Sequence, residues 1–246
     1  MSWEKTNRVH GLSAGILNHW LYATIHGYKY YYVDIETPKD RRSSWKKPAI
    51  ISKILKQHDT CIYVDSDAFF VHLDLPMEWL MNYWEINPTF NSLALAADPG
   101  KEYNKDEKGK VNLNTGFIIA QNNKRTHEIM HAWEHCPDDG SRYPGCQKYR
   151  NNKPGRPTDQ AGFGSFVRYD YTADIKELSC DEANGFPEAH VGCDGVFVRH
   201  FWTGKDDFTK TEAGRQMPGP YLELFHREFR STVGGFYVTV AQLMTS

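Results

Sequence analysis

The chain has 246 residues, of which 40% are hydrophobic and 24% are charged, a globular composition that excludes a disordered chain. The 29 Lys and Arg against 31 Asp and Glu leave a formal charge of −2, which excludes a strongly basic nucleic-acid-binding protein. No apolar run approaches the roughly 20 residues that cross a bilayer, so we expect a soluble chain.

Helices and strands are predicted to alternate along the first half of the chain. Apolar residues at helical spacing predict a helix over residues 15–28, and the aromatic run at 29–34 predicts a strand. Pro48 opens a second predicted helix, because proline is well tolerated in the first helical turn. The short apolar runs at 60–64 and 93–97 are typical of buried strands.

The alternation continues in the second half. A strand is predicted at 113–120 and a helix at 125–135. Residues 137–158 are rich in Pro, Gly, Asn and Arg and form a long predicted loop, which precedes a late strand at 196–201. Aromatic and leucine side chains between positions 221 and 229 predict a helix that packs on the body of the protein.

This order of elements favours an α/β fold, in which helices cover both faces of a mostly parallel central sheet. We expect one domain over residues 1–246. Ligands of such sheets bind at the carboxyl ends of the strands, so polar residues that directly follow a strand are the first candidates for a functional site.

The cysteines are five in number and no two form a CxxC pair, which argues against a zinc ribbon. The sequence is compatible with one or two disulfides among the last four cysteines, Cys136, Cys146, Cys180 and Cys193.

Two carboxylates follow the predicted strand at 60–64. Asp65 and Asp67 are separated only by Ser66, and like charges this close repel each other unless a cation is shared between them. Mg²⁺ and Mn²⁺ prefer oxygen ligands of this kind. The alternative interpretation is that both aspartates cap the turn that follows the strand.

The late strand also ends in polar residues. His200 is a candidate third metal ligand, because a neutral imidazole binds transition metals. Lys205 follows a glycine-containing turn and is a candidate phosphate-binding residue. The alternative for a single histidine is a purely structural role.

Together these residues resemble the metal-dependent nucleotide-sugar glycosyltransferases of the GT-A (Rossmann-like) fold. The greatest similarity is to the retaining family that includes yeast galactosyl- and mannosyltransferases and plant xyloglucan xylosyltransferases. The match extends over roughly residues 15–205, and residues 206–246 form a C-terminal extension outside it. Four further segments carry the resemblance, namely Asn18 with Tyr22-Ala23 and His26-Gly27-Tyr28, Trp45-Lys46-Lys47, Leu113-Asn114-Thr115-Gly116-Phe117 with Asn122, and Asp159-Gln160.

The resemblance implies a metal centre and a catalytic lysine. Asp65 and Asp67 would bind Mn²⁺ (or Mg²⁺) together with the diphosphate of a sugar nucleotide, and His200 would be the third protein ligand. Lys205 would contact the β-phosphate. Cleavage of the sugar–phosphate bond builds negative charge on the leaving group, which a divalent cation and a lysine stabilise.

The resemblance also implies contacts to the sugar. Lys47 and Ser66 would lie near the donor, and Asn114 and Gly116 would shape the donor-sugar and acceptor region. The catalytic pair Asp159-Gln160 would lie at the reactive face of the anomeric carbon. An oxygen there can stabilise an oxocarbenium-like centre or attack it, and the sequence leaves both roles open.

The implied reaction moves a sugar from a nucleotide donor, a UDP-sugar in preference to a GDP-sugar, to a glycan or other hydroxyl acceptor, with retention of configuration. Related enzymes work in the Golgi lumen behind an N-terminal anchor. The chain as written shows none, so we expect a cytoplasmic protein, or a Golgi protein if an anchor has been removed. An inactive carbohydrate-binding module of the same fold is one alternative.

One departure from the family concerns the nucleobase. Family members place a first strand before the 15–28 helix, and this strand and its loop hold the base. Here residues 1–14 precede the helix and lack a strand pattern. Either the chain is truncated or the base is bound differently.

A second metal motif competes with this interpretation. His127-Glu128-Ile129-Met130-His131 is a literal HExxH, the pattern in which two histidines on one helical face bind zinc and the glutamate is a general base. A third ligand at metzincin spacing is absent from the sequence. The zinc metallopeptidase therefore stays an alternative, and we expect this helix to pack on the sheet through Ile129, Met130 and Trp133.

Overall fold

The computed structural model describes residues 11–36, 38–151, 158–217 and 219–245. The strands within these ranges are β1 (Tyr32–Asp34), β2 (Thr60–Val64), β3 (Ala68–Phe70), β4 (Leu93–Ala97), β5 (Leu113–Gln121), β6 (Ile175–Leu178), β7 (Val198–His200) and β8 (Tyr237–Thr239). The helices are α1 (Gly11–His26), α2 (Lys47–Leu55), α3 (Met77–Tyr83), α4 (Lys124–Glu134), α5 (Asp159–Gly162), α6 (Arg168–Asp170), α7 (Cys180–Ala183), α8 (Lys205–Gln216), α9 (Gly219–Ser231) and α10 (Val240–Thr245).

The largest sheet in the described ranges has the strand order β2-β5-β4-β6. β2, β4 and β6 run in one direction, but β5 lies between β2 and β4 and runs the opposite way, so two of the three strand pairs in this sheet are antiparallel. The reversal was not predicted. Residues 98–112 explain it, because they contain one short 3₁₀ turn and no crossover helix of the kind that a parallel connection needs.

Helices cover both faces of this sheet, which confirms the predicted α/β fold. On one face α2 and α4 bury Ile51, Leu55 and Trp133 against β4 and β5. On the other face Tyr22 of α1 and Leu80 of α3 contribute to the second core cluster. Every residue of β5 is buried, as expected for a strand that is covered on both faces.

Most predicted elements are present, with shifted ends. The strands at 60–64 and 93–97 are confirmed with their predicted bounds. The aromatic strand is shorter than its prediction, and α1 begins at Gly11 rather than at residue 15. In the predicted loop at 137–158, residues 144–149 form a 3₁₀ turn, and residues 152–157 lie outside the described ranges, as do residues 1–10.

The C-terminal helices contribute side chains to the core. Helix α9 buries Phe229 in a third core cluster, which it shares with Trp20 of α1. β8 pairs in parallel with β1, and this short strand was not predicted. Within the described ranges no helix is long and apolar enough to cross a membrane.

The four cysteines whose pairing the sequence left undecided form two disulfides. One joins Cys136 to Cys146, with a Cα–Cα distance of 5.7 Å, and the other joins Cys180 to Cys193, at 5.4 Å. The fifth cysteine, Cys61, is a buried free thiol on β2.

Helix α1 fixes the chain segment that follows β2. The Asn18 amide donates to the Phe70 carbonyl at 3.0 Å and accepts from the Phe70 backbone N–H at 2.9 Å. Gly15 allows close approach, because a Cβ there would lie 2.0 Å from the Ser66 carbonyl oxygen. Gly15 and Asn18 of α1 therefore support the backbone around Asp65 and Asp67.

His19 on the same helix makes the stability of the protein depend on pH. Its Nε2 donates to the Ala68 carbonyl at 2.8 Å, and burial lowers its pKa from 6.5 to about 4. Between pH 6.5 and 4 the unfolded chain therefore binds a proton that the folded chain does not, so stability falls as the pH is lowered.

We expect His19 to account for about 3 kcal/mol of lost stability between pH 7 and pH 4, since one pKa unit corresponds to about 1.4 kcal/mol. Urea unfolding of the native chain and of His19→Gln, which keeps a donor for Ala68, measures this difference. Equal losses of stability in the two proteins would contradict the assignment to His19.

Candidate active site

Asp65, Asp67 and His200 come together at the end of β2. Each offers one ligand atom, and the three atoms lie within 4.8 Å of one another. The His200 Nε2 lies 3.4 Å from Asp67 Oδ1 and 4.0 Å from Asp65 Oδ2. The antiparallel pairing of β3 with β7, in which Ala68 is opposite His200, produces this arrangement. Among the residues that the structure describes, no other such group of three occurs.

The charges in this group stabilise each other. Burial favours the neutral form of Asp67, but His200 and then Lys205 outweigh it, so the pKa of Asp67 is lowered. Burial likewise favours neutral His200, but Asp67 and then Asp65 outweigh it and raise the pKa of the imidazole. Two carboxylates and one imidazole form a donor set that fits Mn²⁺ or Mg²⁺.

Lys205 contributes a cation to the same group. It is the first residue of α8 and follows Gly204, which has a left-handed backbone with φ of 59°. The Lys205 ammonium forms an ion pair with Asp67 Oδ2, and its side chain is 47% exposed. A partly exposed ammonium beside a buried carboxylate can contact a ligand as well as the protein.

Asp65, Asp67 and His200 are called the metal group below. Lys47 is nearly buried and contacts this group through Asp65. Its Nζ lies 3.3 Å from Asp65 Oδ1 and 3.6 Å from Asp159 Oδ2, and it donates to the Thr115 carbonyl at 3.1 Å. Burial opposes its charge, but Asp159 and then Asp65 outweigh burial and raise the pKa of Lys47 well above its usual value. Burial also opposes ionisation of Asp159, yet Lys47 lowers the pKa of that carboxyl.

The predicted residues on β5 lie against His200. A Cβ at Gly116 would lie 2.3 Å from the His200 Cε1 atom, so a side chain there would displace the imidazole. The Asn114 oxygen accepts from the Gly116 N–H at 2.8 Å, and the Asn114 amide donates to Asp98 Oδ1 at 2.9 Å.

Asp159 and Gln160, at the start of α5, are bonded to the same region of the protein. The Gln160 amide donates to Asp98 Oδ2 at 2.6 Å, and its oxygen accepts from the Thr115 N–H at 3.2 Å. The Asp159 carboxylate accepts from the Thr115 hydroxyl at 3.3 Å. Ser66 lines a cavity that reaches Asp65. The structure thus brings all the sequence-predicted site residues into one region.

Two residues of this region were not predicted. Asp98 is buried, burial raises its pKa, and it accepts hydrogen bonds from Asn114 and Gln160. It directly follows β4 as Asp65 follows β2, so the same signal in the sequence marks it. Asn184 carries no such signal.

Asn184 orients His200. Its oxygen accepts from His200 Nδ1 at 3.0 Å, and its amide donates to the Ala97 carbonyl at 3.2 Å and to Asp98 Oδ1 at 3.3 Å. These amide contacts aim the oxygen of Asn184 at the imidazole. The proton of His200 is thereby held on Nδ1, and Nε2 faces the two aspartates.

Replacement of Asn184 by Ala should weaken Mn²⁺ binding about 10- to 100-fold, the usual loss when a metal-ligating histidine loses its outer partner. Isothermal titration of the metal measures the effect, and Asn82→Ala on the exposed surface of α3 is the matched control. An unchanged Mn²⁺ affinity, with the thermal midpoint preserved, would contradict the orienting role.

The side chains of the HExxH helix make other contacts, and in the part of the chain that the structure describes they do not belong to a group of three metal-ligating side chains. The His127 Nδ1 is bonded to the Ser52 hydroxyl at 2.7 Å, and the His131 ring packs on His135 with centroids 4.4 Å apart. Glu128 forms an ion pair with Arg125 at 2.7 Å. The buried face of α4 packs on the sheet through Ile129, Met130 and Trp133, as predicted.

The mixed α/β sheet, with the Asp65-x-Asp67 pair at a strand end and His200 beside it, agrees with a glycosyltransferase of the GT-A fold. The chain belongs to the galactosyl transferase GMA12/MNN10 family, whose family model matches residues 4–175.

Two proteins that this chain resembles are themselves glycosyltransferases. Xyloglucan 6-xylosyltransferase 1 of Arabidopsis thaliana is 26% identical over 129 residues, which are 50% of this chain and 26% of the relative. The chain thus matches about a quarter of the length of that enzyme. A crystal structure of a glycosyltransferase involved in the glycosylation of the major capsid of PBCV-1 covers 83% of this chain and 93% of its own, with a TM-score of 0.57 and 14% identity. This second similarity concerns the fold.

Proposed function

We propose that the protein transfers a sugar from a UDP-sugar to a hydroxyl of a glycan, with Mn²⁺ as cofactor and retention of configuration. The observation that carries the proposal is the convergence of Asp65, Asp67 and His200 within 4.8 Å, with the Lys205 ammonium on Asp67. Family membership supports sugar transfer as the reaction class.

The proposed roles follow from position and charge. Asp65, Asp67 and His200 would hold the cation, which when bound neutralises charge on the diphosphate. Lys205 is partly exposed and would exchange part of its contact with Asp67 for an oxygen of the leaving phosphate. An ammonium so placed stabilises the negative charge that develops as the sugar–oxygen bond breaks.

Asp159 would act on the sugar. Its carboxyl is buried, and Lys47, which also pairs with Asp65, keeps it ionised, so it holds a fixed negative charge that one lysine links to the metal group. Such a charge stabilises the positive anomeric carbon of an oxocarbenium-like transition state. Gln160 would be a positioning residue, because both ends of its amide are already bonded to Asp98 and to the backbone of Thr115.

A donor screen tests the proposal. We expect hydrolysis or transfer with a UDP-sugar and Mn²⁺, no turnover after chelation, and a loss of kcat of about 100- to 1,000-fold for Lys205→Ala. Lys210→Ala, exposed on the same helix, is the matched control and should retain the activity. UDP-xylose with a glucan acceptor belongs in the screen because the named relative is a xylosyltransferase.

The donor screen, together with a measurement of sugar binding and of bound zinc, distinguishes the alternative functions. Turnover only with a GDP-sugar would contradict the proposed donor. Binding of sugar without turnover at any Mn²⁺ concentration would favour the inactive module. Stoichiometric zinc that is lost in His127→Ala would favour the metallopeptidase.

A further inference from the structure

Two residues that contact Asp67 come from different elements. His200 lies on β7 and Lys205 is the first residue of α8, and both side chains reach the same carboxylate. Residues 201–204 connect the strand to the helix. The position of α8 relative to β7 therefore decides where the Lys205 ammonium lies with respect to the metal group.

One face of α8 carries polar residues that bond to the β3 segment. Lys205, Glu212 and Gln216 are spaced by seven and four residues, so they share a face of the helix. Lys205 contacts Asp67 just before β3, and the Gln216 amide donates to the carbonyl of Phe70, the last residue of β3, at 2.9 Å. The first and the last residue of α8 are thus both bonded to this segment.

Glu212 lies between these two contacts and is buried. Its Oε2 accepts from Arg199 Nη1 at 2.6 Å and from Arg215 Nη1 at 3.3 Å, and its Oε1 accepts from the Gln216 amide at 3.1 Å. The side chain of Glu212 is 3% exposed, whereas that of Arg215 is 53% exposed. The closer and more buried Arg199 is therefore the main compensation for the buried charge.

Arg199 connects this carboxylate to the strand of His200. The two residues are neighbours on β7 and point to opposite faces of the strand, so His200 faces the metal group while Arg199 faces α8. Within the described ranges the Arg199 Nε is buried without a hydrogen-bond partner, so the guanidinium depends on its contact with Glu212. The ion pair joins the strand that bears the histidine to the helix that bears the lysine.

Apolar packing alone would hold α8 on the body of the protein without fixing its position. Ala213 of α8 packs with Ala14 and Leu17 of α1 in the third core cluster. Such contacts are non-directional and tolerate a small shift of the helix, whereas a buried charge pair is satisfied at one relative position. The ion pair therefore restricts α8 to the position in which Lys205 reaches Asp67.

We propose that Arg199 and Glu212 are positioning residues, whose ion pair holds α8 where Lys205 reaches both Asp67 and the leaving phosphate. Both residues act through Lys205 rather than on the substrate. Their role in catalysis rests on the proposed function, whereas the placement of Lys205 on Asp67 does not.

Chemical labelling of lysine tests this placement without sugar transfer. Pulse acetylation with isotope-coded acetic anhydride, read by mass spectrometry, gives the rate for Lys205 relative to Lys210, which is exposed on the same helix. We expect Glu212→Gln to raise this ratio about two- to fivefold, the effect of releasing a partly exposed ion pair. Glu223→Gln, exposed on α9, is the matched control and should leave the ratio unchanged.

The double variant Arg199→Met with Glu212→Gln separates position from stability. Removing both ions leaves no unpaired buried charge, so we expect the double variant to unfold closer to the native temperature than Glu212→Gln does. Its Lys205 should still label faster than in the native chain, because α8 has lost its bond to β7. A native labelling ratio in this variant, or in Glu212→Gln itself, would overturn the proposal.

A kinetic cycle tests the same pair in the proposed reaction. We expect Glu212→Gln to lower kcat about 10-fold with KM nearly unchanged, since a misplacement of about 1 Å costs up to about 100-fold in rate. In a Lys205→Ala background the same substitution should cause no further loss, because the group that it positions is absent.

The cycle and the labelling have different failures. Losses of kcat that multiply in the Lys205→Ala, Glu212→Gln double variant would overturn the positioning role in catalysis. If the native chain transfers no sugar while the labelling ratio responds to Glu212→Gln as expected, the proposed function fails and the placement of Lys205 by the ion pair stands.

Discussion

Asp67→Asn should lower the Mn²⁺-dependent affinity for UDP by at least about 100-fold, because loss of a ligand exceeds the effect of losing an outer-shell partner. The asparagine has the shape of the aspartate, but it lacks the charge that the His200 imidazole and the Lys205 ammonium face. Isothermal titration of UDP with and without Mn²⁺ measures the change.

The control for this variant is Asp74→Asn, which removes an exposed carboxylate elsewhere in the chain. It should bind UDP like the native protein and unfold at the native temperature, whereas Asp67→Asn, which loses buried ion pairs, is titrated below its own unfolding temperature. If Asp67→Asn keeps the native response to Mn²⁺, the metal group assigned here does not bind the cofactor.

Lys47→Met should destabilise the protein by about 3–5 kcal/mol, the usual cost of removing one partner of a buried ion pair. The methionine fills a similar volume but leaves the buried Asp159 carboxylate without its cation. Asp65 retains its hydrogen bond from the Tyr63 hydroxyl at 2.5 Å, so Asp159 bears most of the loss. Denaturant unfolding measures the change.

The double variant Lys47→Met with Asp159→Asn isolates the charge. Removing both ions leaves no unpaired buried charge, so we expect the double variant to recover most of the lost stability while it remains inactive. A double variant no more stable than Lys47→Met would show that packing of the lysine stem, rather than its charge, stabilises this region.

Much of the site could be predicted because each part carries a local signal. The sequence shows an apolar run, typical of a buried strand, that ends in Asp65 and Asp67. Because burying two carboxylates costs free energy, their presence there marks a candidate site. The same reasoning would have found Asp98 after β4. The remaining residues, including Gly116 and Asp159, were assigned from the resemblance to the family, because the matching segments occur in the same order along the chain.

The features that were missed depend on long-range pairing. β5 has the same apolar composition that a parallel strand would have, so its reversed direction is not visible in its residues. Asn184 acts only through its contacts to His200 and Asp98, which come from distant parts of the chain. The separation of β1 from β2 into different sheets is a property of the strand order, which a list of strands does not contain.

The Cys180–Cys193 disulfide encloses Asn184, the residue that orients His200. The geometry of the metal group therefore depends on a covalent bond that thiol reductants break. Protein for assays should be produced by secretion or in an oxidising cell compartment and kept free of dithiothreitol. We expect a preparation purified under reducing conditions to hold the His200 imidazole less firmly and to bind Mn²⁺ more weakly than the oxidised protein.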